Sequence, residues 1–200
     1  MIKYLVCFFI AYLIGSISGS FILGKIVKGI DIRQHGSGNA GTTNAIRTMG
    51  KTLGVATFVI DFFKGLLSMY FLTKIIPSQY AVLIAIFCVI GHNYPFYMSF
   101  KGGKGIATSL GCLVWINPLL TLLGVVAGVC ISLITKYVSV GSMTFLFVST
   151  SLICINMDLG IINEFALIFL CILGIYRHKS NIVKLKSGRE NKIGGLKWIK

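Results

Sequence analysis

Acidic side chains are almost missing: five Asp and Glu stand against 19 Lys and Arg in a chain of 200 residues, and charged residues of both signs make up only 12%. So few carboxylates leave no paired set for glycosidase chemistry. The three histidines enter neither a Ser-His-Asp set nor a His-Glu-His zinc spacing, which disfavours triad and metal hydrolysis. There is no CxxC. The six cysteines, Cys7, Cys88, Cys112, Cys130, Cys154 and Cys171, all lie inside apolar runs and read as small packing residues. The Walker A spacing is absent as well, so ATP binding gains no support. No metal and no cofactor are expected.

Apolar residues are what the chain has: 56% are hydrophobic and the mean hydropathy is +0.87, more than a water-soluble domain could hide in one core. The expectation is an all-α, polytopic membrane helical bundle, a single domain over 1–200. A formal charge of +14 raises nucleic acid as a partner. The cations, however, sit in short loops and a tail that flank apolar spans, where positive-inside topology accounts for them. Met1 to Leu23 partly imitates a signal peptide, but its length can span and Lys25 and Lys28 follow, so it reads as a retained helix.

Apolar runs lie at about 4–24, 53–73, 80–98, 106–116, 119–135, 140–156 and 162–176, each long enough to be helical. One helix over 106–135 would be about 45 Å long, against a hydrocarbon core of roughly 30 Å, so Asn117-Pro118 is read as a break. The count is about seven transmembrane helices, with the N-terminus outside and the C-terminus cytoplasmic. That parity puts Lys25, Lys28, Arg33, Arg47, Lys51, Lys101, Lys104, Lys136 and the basic tail on one side and leaves Lys3 and Lys74 outside. The run 106–116 is the shortest for a crossing.

This topology brings four polar segments to one face: the loop with Ser37 to Arg47, the loop with Lys101 to Gly105, the Tyr137 to Ser142 turn and the tail beginning at His178. Ser37 to Arg47, on a backbone loosened by Gly36, Gly38 and Gly41, offers Asn39, Thr42, Thr43, Asn44 and the planar fork of Arg47, a pattern suited to phosphate. Gly102-Gly103-Lys104-Gly105 precedes an apolar helix, so its amides, Lys104 and Thr108 could face an anion at the helix N-terminus. Asp61 and Lys64, three apart on a helix, are either a structural pair or a deep cation toward that anion. His92 either anchors its loop or serves in acid-base chemistry. His178 opens a basic tail that either completes the pocket or orients the chain at the membrane.

Together these motifs resemble the bacterial PlsY family, the membrane acyl-phosphate:glycerol-3-phosphate acyltransferases. The likeness rests on Asp31 through Gly50, Asp61 with Lys64-Gly65, Gly91 through Pro95, Phe100 through Thr108, Ser139 through Ser142, and His178 through Glu190. It implies transfer of a fatty acyl group from acyl phosphate to the 1-hydroxyl of sn-glycerol 3-phosphate, giving lysophosphatidic acid and phosphate, the opening step of membrane phospholipid synthesis. By resemblance Ser37, Arg47, Lys104, Ser142, His178 and Asn181 are catalytic. Asn39, Thr43, Asn44, Lys64, Gly103, Gly105, Thr108 and Glu190 bind substrate. The resemblance also implies a monomer in the bacterial cytoplasmic membrane, with its site facing the cytoplasm and the lipid bilayer as its other partner. Ser18 departs from the proline usual in that family. No HxxxxD acyltransferase pattern occurs. The rival reading is a small transporter of phosphate esters or lipids, which the one-sided loops and the absence of visible inverted repeats disfavour.

Overall fold

The structure, a computed structural model, describes residues 1–193. Among the described residues there are ten α-helices, three short 3-10 turns and no strand. The chain divides into two compact units, Met1–Trp115 and Ile116–Lys200.

The first unit opens with α1 (Ile2–Ser16) and α2 (Gly19–Lys28), which together make a 27-residue apolar run. Its sequence reads as one helix, but it is broken at Ile17-Ser18. The Ser18 hydroxyl accepts from the Phe21 amide at 3.4 Å and caps α2, the usual way a serine side chain competes with a continuing helix. There follow α3 (Thr42–Met49), α4 (Lys51–Leu72), α5 (Ala81–Asn93) and α6 (Ile106–Ile116). Glycines set the helix crossings. A Cβ on Gly15 would lie 1.9 Å from the Cys88 carbonyl oxygen and one on Gly91 2.1 Å from that of Tyr12, so α1 and α5 meet backbone to backbone. Gly65 and Gly111 do the same for α4 and α6, at 2.3 Å from the Thr108 oxygen and 2.0 Å from the Phe62 oxygen. Lipid supplies no hydrophobic drive between helices, and close approach at small residues takes its place.

In the second unit, α7 (Pro118–Thr135) packs on α8 (Val138–Asn156), followed by α9 (Ile161–Arg177) and the short α10 (Lys179–Lys186). The break before α7 falls at Asn117, whose side chain accepts from the Leu120 amide at 2.9 Å with Pro118 in the first turn. Leu119, Leu122, Val126, Val129 and Leu133 form an exposed apolar stripe on α7, and Phe165, Ile168, Phe169 and Ile172 another on α9. Such stripes are unfavourable in water and suit hydrocarbon.

Five helical segments are long and apolar enough to cross a membrane, and α9 with α10, bent by 52° at His178, makes a sixth if taken as one span. The 11 residues of α6 rise only about 16 Å.

Candidate active site

The loop between α2 and α3 is shaped from beneath. Ile32, Ala40, Ala45 and Met98 form a buried apolar floor. Asn44, 1% exposed, holds the loop from within. Its Oδ1 accepts from the Ser37 amide at 2.8 Å, and its Nδ2 donates to the Ile32 and His35 carbonyls at 3.2 and 2.9 Å. Gly36, at φ +61°, has no room for a side chain, because a Cβ would lie 2.3 Å from Asn44 Oδ1. Asn44 therefore spends its amide on the loop, and Ser37 is carried to the exposed tip.

Arg33 braces the same loop from the side. Its guanidinium clasps Asp31 at 2.7–3.2 Å and donates to the Met98 carbonyl at 2.6 Å. The Arg33 hydrogen bond holds the Asp31 carboxyl down to about 2, from 3.8. A depressed carboxyl adds stability that is complete above its ordinary value and is lost as pH falls through the lower one. This brace is thus intact across the physiological range.

α3 contributes Ala45 to that floor and leaves Thr43 exposed, with Asn39 half-buried at its approach. Thr42 Oγ1 and Arg47 Nε are buried without a hydrogen-bond partner. Unpaired buried donors are costly, and a bound oxyanion would satisfy both.

The second loop is docked onto the end of α5. Gly102 N–H donates to the Asn93 carbonyl and Gly103 N–H to the His92 carbonyl, each at 3.1 Å. A Cβ on either glycine would come within 2.1 Å of His92 atoms, so only glycine fits. Those two amides serve the docking, not an anion as the sequence suggests. Lys104, half-buried, follows this docked turn, and the chain enters the first turn of α6 through Gly105 at φ +81°. Thr108 Oγ1 and both side-chain polar atoms of Asn93 are buried without a partner. Asn93 is not among the site residues read from the sequence, and its signal there is its place in the Gly91 to Pro95 motif.

Lys64 is 5% exposed and its neighbour Asp61 1%. The Lys64 ammonium donates to the Ile17 carbonyl, to Asp61 Oδ1 at 2.9 Å and to His92 Nδ1 at 2.7 Å. An ammonium has three protons, so Lys64 has none left for a phosphate oxygen, and the geometry favours the structural reading of the pair.

The second unit carries its own polar group. Glu190 Oε1 accepts from Ser139 Oγ at 3.0 Å and from Asn181 Nδ2 at 2.7 Å, while Oε2 is buried without a partner. A carboxylate repels phosphate, so Glu190 acts here as a tie between the tail and α8, with Ser139, part of the Ser139 to Ser142 motif but not among the site residues read from the sequence, as its partner. The Ile193 amide adds a bond to the Lys136 carbonyl at 2.7 Å. Ser142 is half-buried one turn beyond Ser139. His178, 2% exposed, places Nδ1 2.7 Å from the Gly174 carbonyl. A carbonyl only accepts, so Nδ1 bears the proton.

Apolar helices long enough to cross a bilayer, ending in glycine-rich, cationic loops, define a membrane protein that handles anionic compounds at the bilayer surface. The particular family follows from its relatives. The family model for glycerol-3-phosphate acyltransferase matches residues 5–188, and the chain belongs to that family. Glycerol-3-phosphate acyltransferases of Alkaliphilus metalliredigens and Finegoldia magna are 44% and 45% identical to it, each match covering 92% of this chain and 93% of the relative. The glycerol-3-phosphate acyltransferase of Clostridioides difficile is 41% identical, with 98% of both chains covered. Crystal structures of PlsY (YgiH), an integral membrane glycerol 3-phosphate acyltransferase, superpose with TM-scores of 0.90 for its glycerol 3-phosphate form and 0.87 for its lysophosphatidic acid form. Identity is 36% and 35%, with 96% and 97% of both chains covered.

Proposed function

We propose that the protein transfers a fatty acyl group from acyl phosphate to the 1-hydroxyl of sn-glycerol 3-phosphate, releasing lysophosphatidic acid and inorganic phosphate. Family membership supports the acceptor and the acylation. The observation that carries the reading in this chain is the pair of braced loops, with unpaired buried Thr42 Oγ1 and Arg47 Nε in one and Lys104 in the other. Both substrates bear phosphate and repel each other, so cations and donors must hold them together.

In the step itself the hydroxyl oxygen bonds to the acyl carbonyl carbon and the bond from that carbon to the phosphate oxygen breaks. A carbonyl phosphate is already activated, so no acyl-enzyme is needed. A phosphate oxygen takes the hydroxyl proton, and phosphate leaves with it. Arg47 and Lys104 hold phosphate, assisted by Asn39, Thr43, Gly105 and Thr108, while Gly103 serves by docking its loop on His92. Ser37, Ser142, His178 and Asn181 orient the reactants or the developing oxyanion. Asn44, Lys64 and Glu190 act by holding these groups in place. The whole chain works as one catalytic domain and as a monomer. It lies in the bacterial cytoplasmic membrane with the site facing the cytoplasm, crossing about seven times from an outside N-terminus.

The test is phosphate release by purified protein from acyl phosphate, with and without glycerol 3-phosphate. Acceptor-dependent release is expected, and Arg47→Ala and Lys104→Ala should each lower kcat/KM by about 100-fold or more. Turnover only with acyl-CoA would replace the donor, and no turnover by folded protein would favour transport. His178→Gln with unchanged kcat from about pH 6 to 9 would remove His178 from any proton transfer.

A further inference from the structure

The break between α1 and α2 leaves backbone groups inside the first unit that no helix satisfies. The Tyr97 hydroxyl donates to the Ser16 carbonyl at 2.8 Å and accepts from the Ser18 amide at 3.1 Å. The Ile17 carbonyl takes Lys64, and the Gly19 amide approaches Asp61 Oδ1 at 3.4 Å. Asp61, Lys64 and His92 then form one buried group, with His92 Nδ1 3.6 Å from the same Asp61 oxygen. Apolar packing would fill this space as stably as two charges, and ionisable groups at membrane depth are retained where they serve a purpose.

That purpose is visible on the far side of the His92 ring. Lys64 donates to Nδ1, so the ring proton lies on Nε2. A Cβ placed on Gly103 would lie 2.1 Å from His92 Nε2 and 2.6 Å from the Ala40 carbonyl oxygen. Three segments therefore meet at one point: the protonated edge of His92, the residue before Lys104, and the residue after Asn39. Ala40 is fully buried there.

We propose that Asp61, Lys64 and His92 form a positioning device that sets the spacing of the two phosphate loops, with His92 seated against Gly103 at the point where that loop meets Ala40. The inference rests on the acyltransferase reading above. Lys64 and Asp61 fix the ring's tautomer and seat it against the helix break, and the Nε2 edge registers Ala40 against Gly103. Misplacing reacting groups by about 1 Å costs on the order of 100-fold in rate, so loss of the device registers in substrate constants while the chain remains folded.

The test uses the purified full-length protein with His92→Leu, His92→Gln and the double replacement Asp61→Asn with Lys64→Met, which removes both charges together. His92→Leu should raise KM for at least one phosphate substrate and lower kcat/KM on the order of 100-fold. His92→Gln, which keeps an N–H donor, should recover most of that loss. A role in folding alone would reduce the active fraction, lowering kcat with both KM values unchanged, and that result overturns the proposal. If His92→Leu does not fold, the double replacement is read by the same KM criterion. Nitrogen-15 spectra of labelled histidine, assigned by the signal lost in His92→Gln, should show Nε2 protonated, and a ring protonated on Nδ1 overturns the device independently. Wild-type protein without acceptor-dependent turnover would remove the acyltransferase reading instead, leaving the tautomer to judge the device.

Discussion

Asn44 shows how one residue type serves two purposes that a sequence cannot separate. An amide in a Gly-rich loop can bind a phosphate or bind the loop. Here its oxygen and both amide hydrogens go to Ser37, Ile32 and His35. Asn44→Ala should lower stability by about 1–3 kcal/mol, the cost of leaving buried backbone groups unpaired. It should also weaken binding of a phosphate substrate, because Ser37 loses its fixed position. Asn44→Asp should not rescue it, since a carboxylate keeps the acceptor, loses both donors and buries a charge. Unfolding midpoints in detergent and KM values check this, and full rescue by Asp would show that the donors are idle. Lys64 and Glu190 repeat the lesson. The sequence leaves Lys64 open between a structural pair and a deep cation toward the anion, and Glu190 enters the site only by resemblance. The structure engages Lys64 with three acceptors and Glu190 with Ser139 and Asn181.

Helices were the most legible elements, because membrane depth demands long apolar runs whatever their packing. The stop at Asn117-Pro118 was legible too, since a capping amide followed by proline marks a helix start. The break at Ile17-Ser18 was not. Its freed carbonyls are answered by Tyr97 and Lys64, far along the chain, and no local pattern announces such partners. Crossing points were equally hidden, because glycine in an apolar run means either slack or contact. Gly111 means contact: its Cβ would sit 2.0 Å from the Phe62 carbonyl oxygen of α4. Gly111→Ala should push α6 from α4 and lower stability by about 1–3 kcal/mol, the usual cost of overpacking. It should also disturb Lys104, which lies just before α6. An unchanged midpoint in detergent would show that α4 and α6 do not meet at this residue.

At the scale of the molecule, the open quantity is how often the chain crosses the bilayer, and α6 decides it. Eleven residues cover about half of a hydrocarbon core, yet charge argues for a crossing, since only an odd count leaves both the loop before α3 and the basic tail on the cytoplasmic side. The two possibilities separate cleanly. If α6 crosses, exposed Lys28 and Lys179 face the cytoplasm, while exposed Gln79 and Asp158 face outward. If α6 turns back, Lys28 and Gln79 keep their sides, but Lys179 and Asp158 exchange theirs. Single cysteines at these positions, in a background where the six native cysteines are replaced by Ala or Ser, can be probed with an impermeant thiol reagent. Labelling in intact cells is expected at Gln79→Cys and Asp158→Cys, with Lys28→Cys and Lys179→Cys labelled only after permeabilisation. The reverse pattern at Asp158 and Lys179 alone would identify α6 as a partial span. It would also move the tail with His178 to the outer side, away from substrates made in the cytoplasm, and so remove His178 and Asn181 from the proposed reaction.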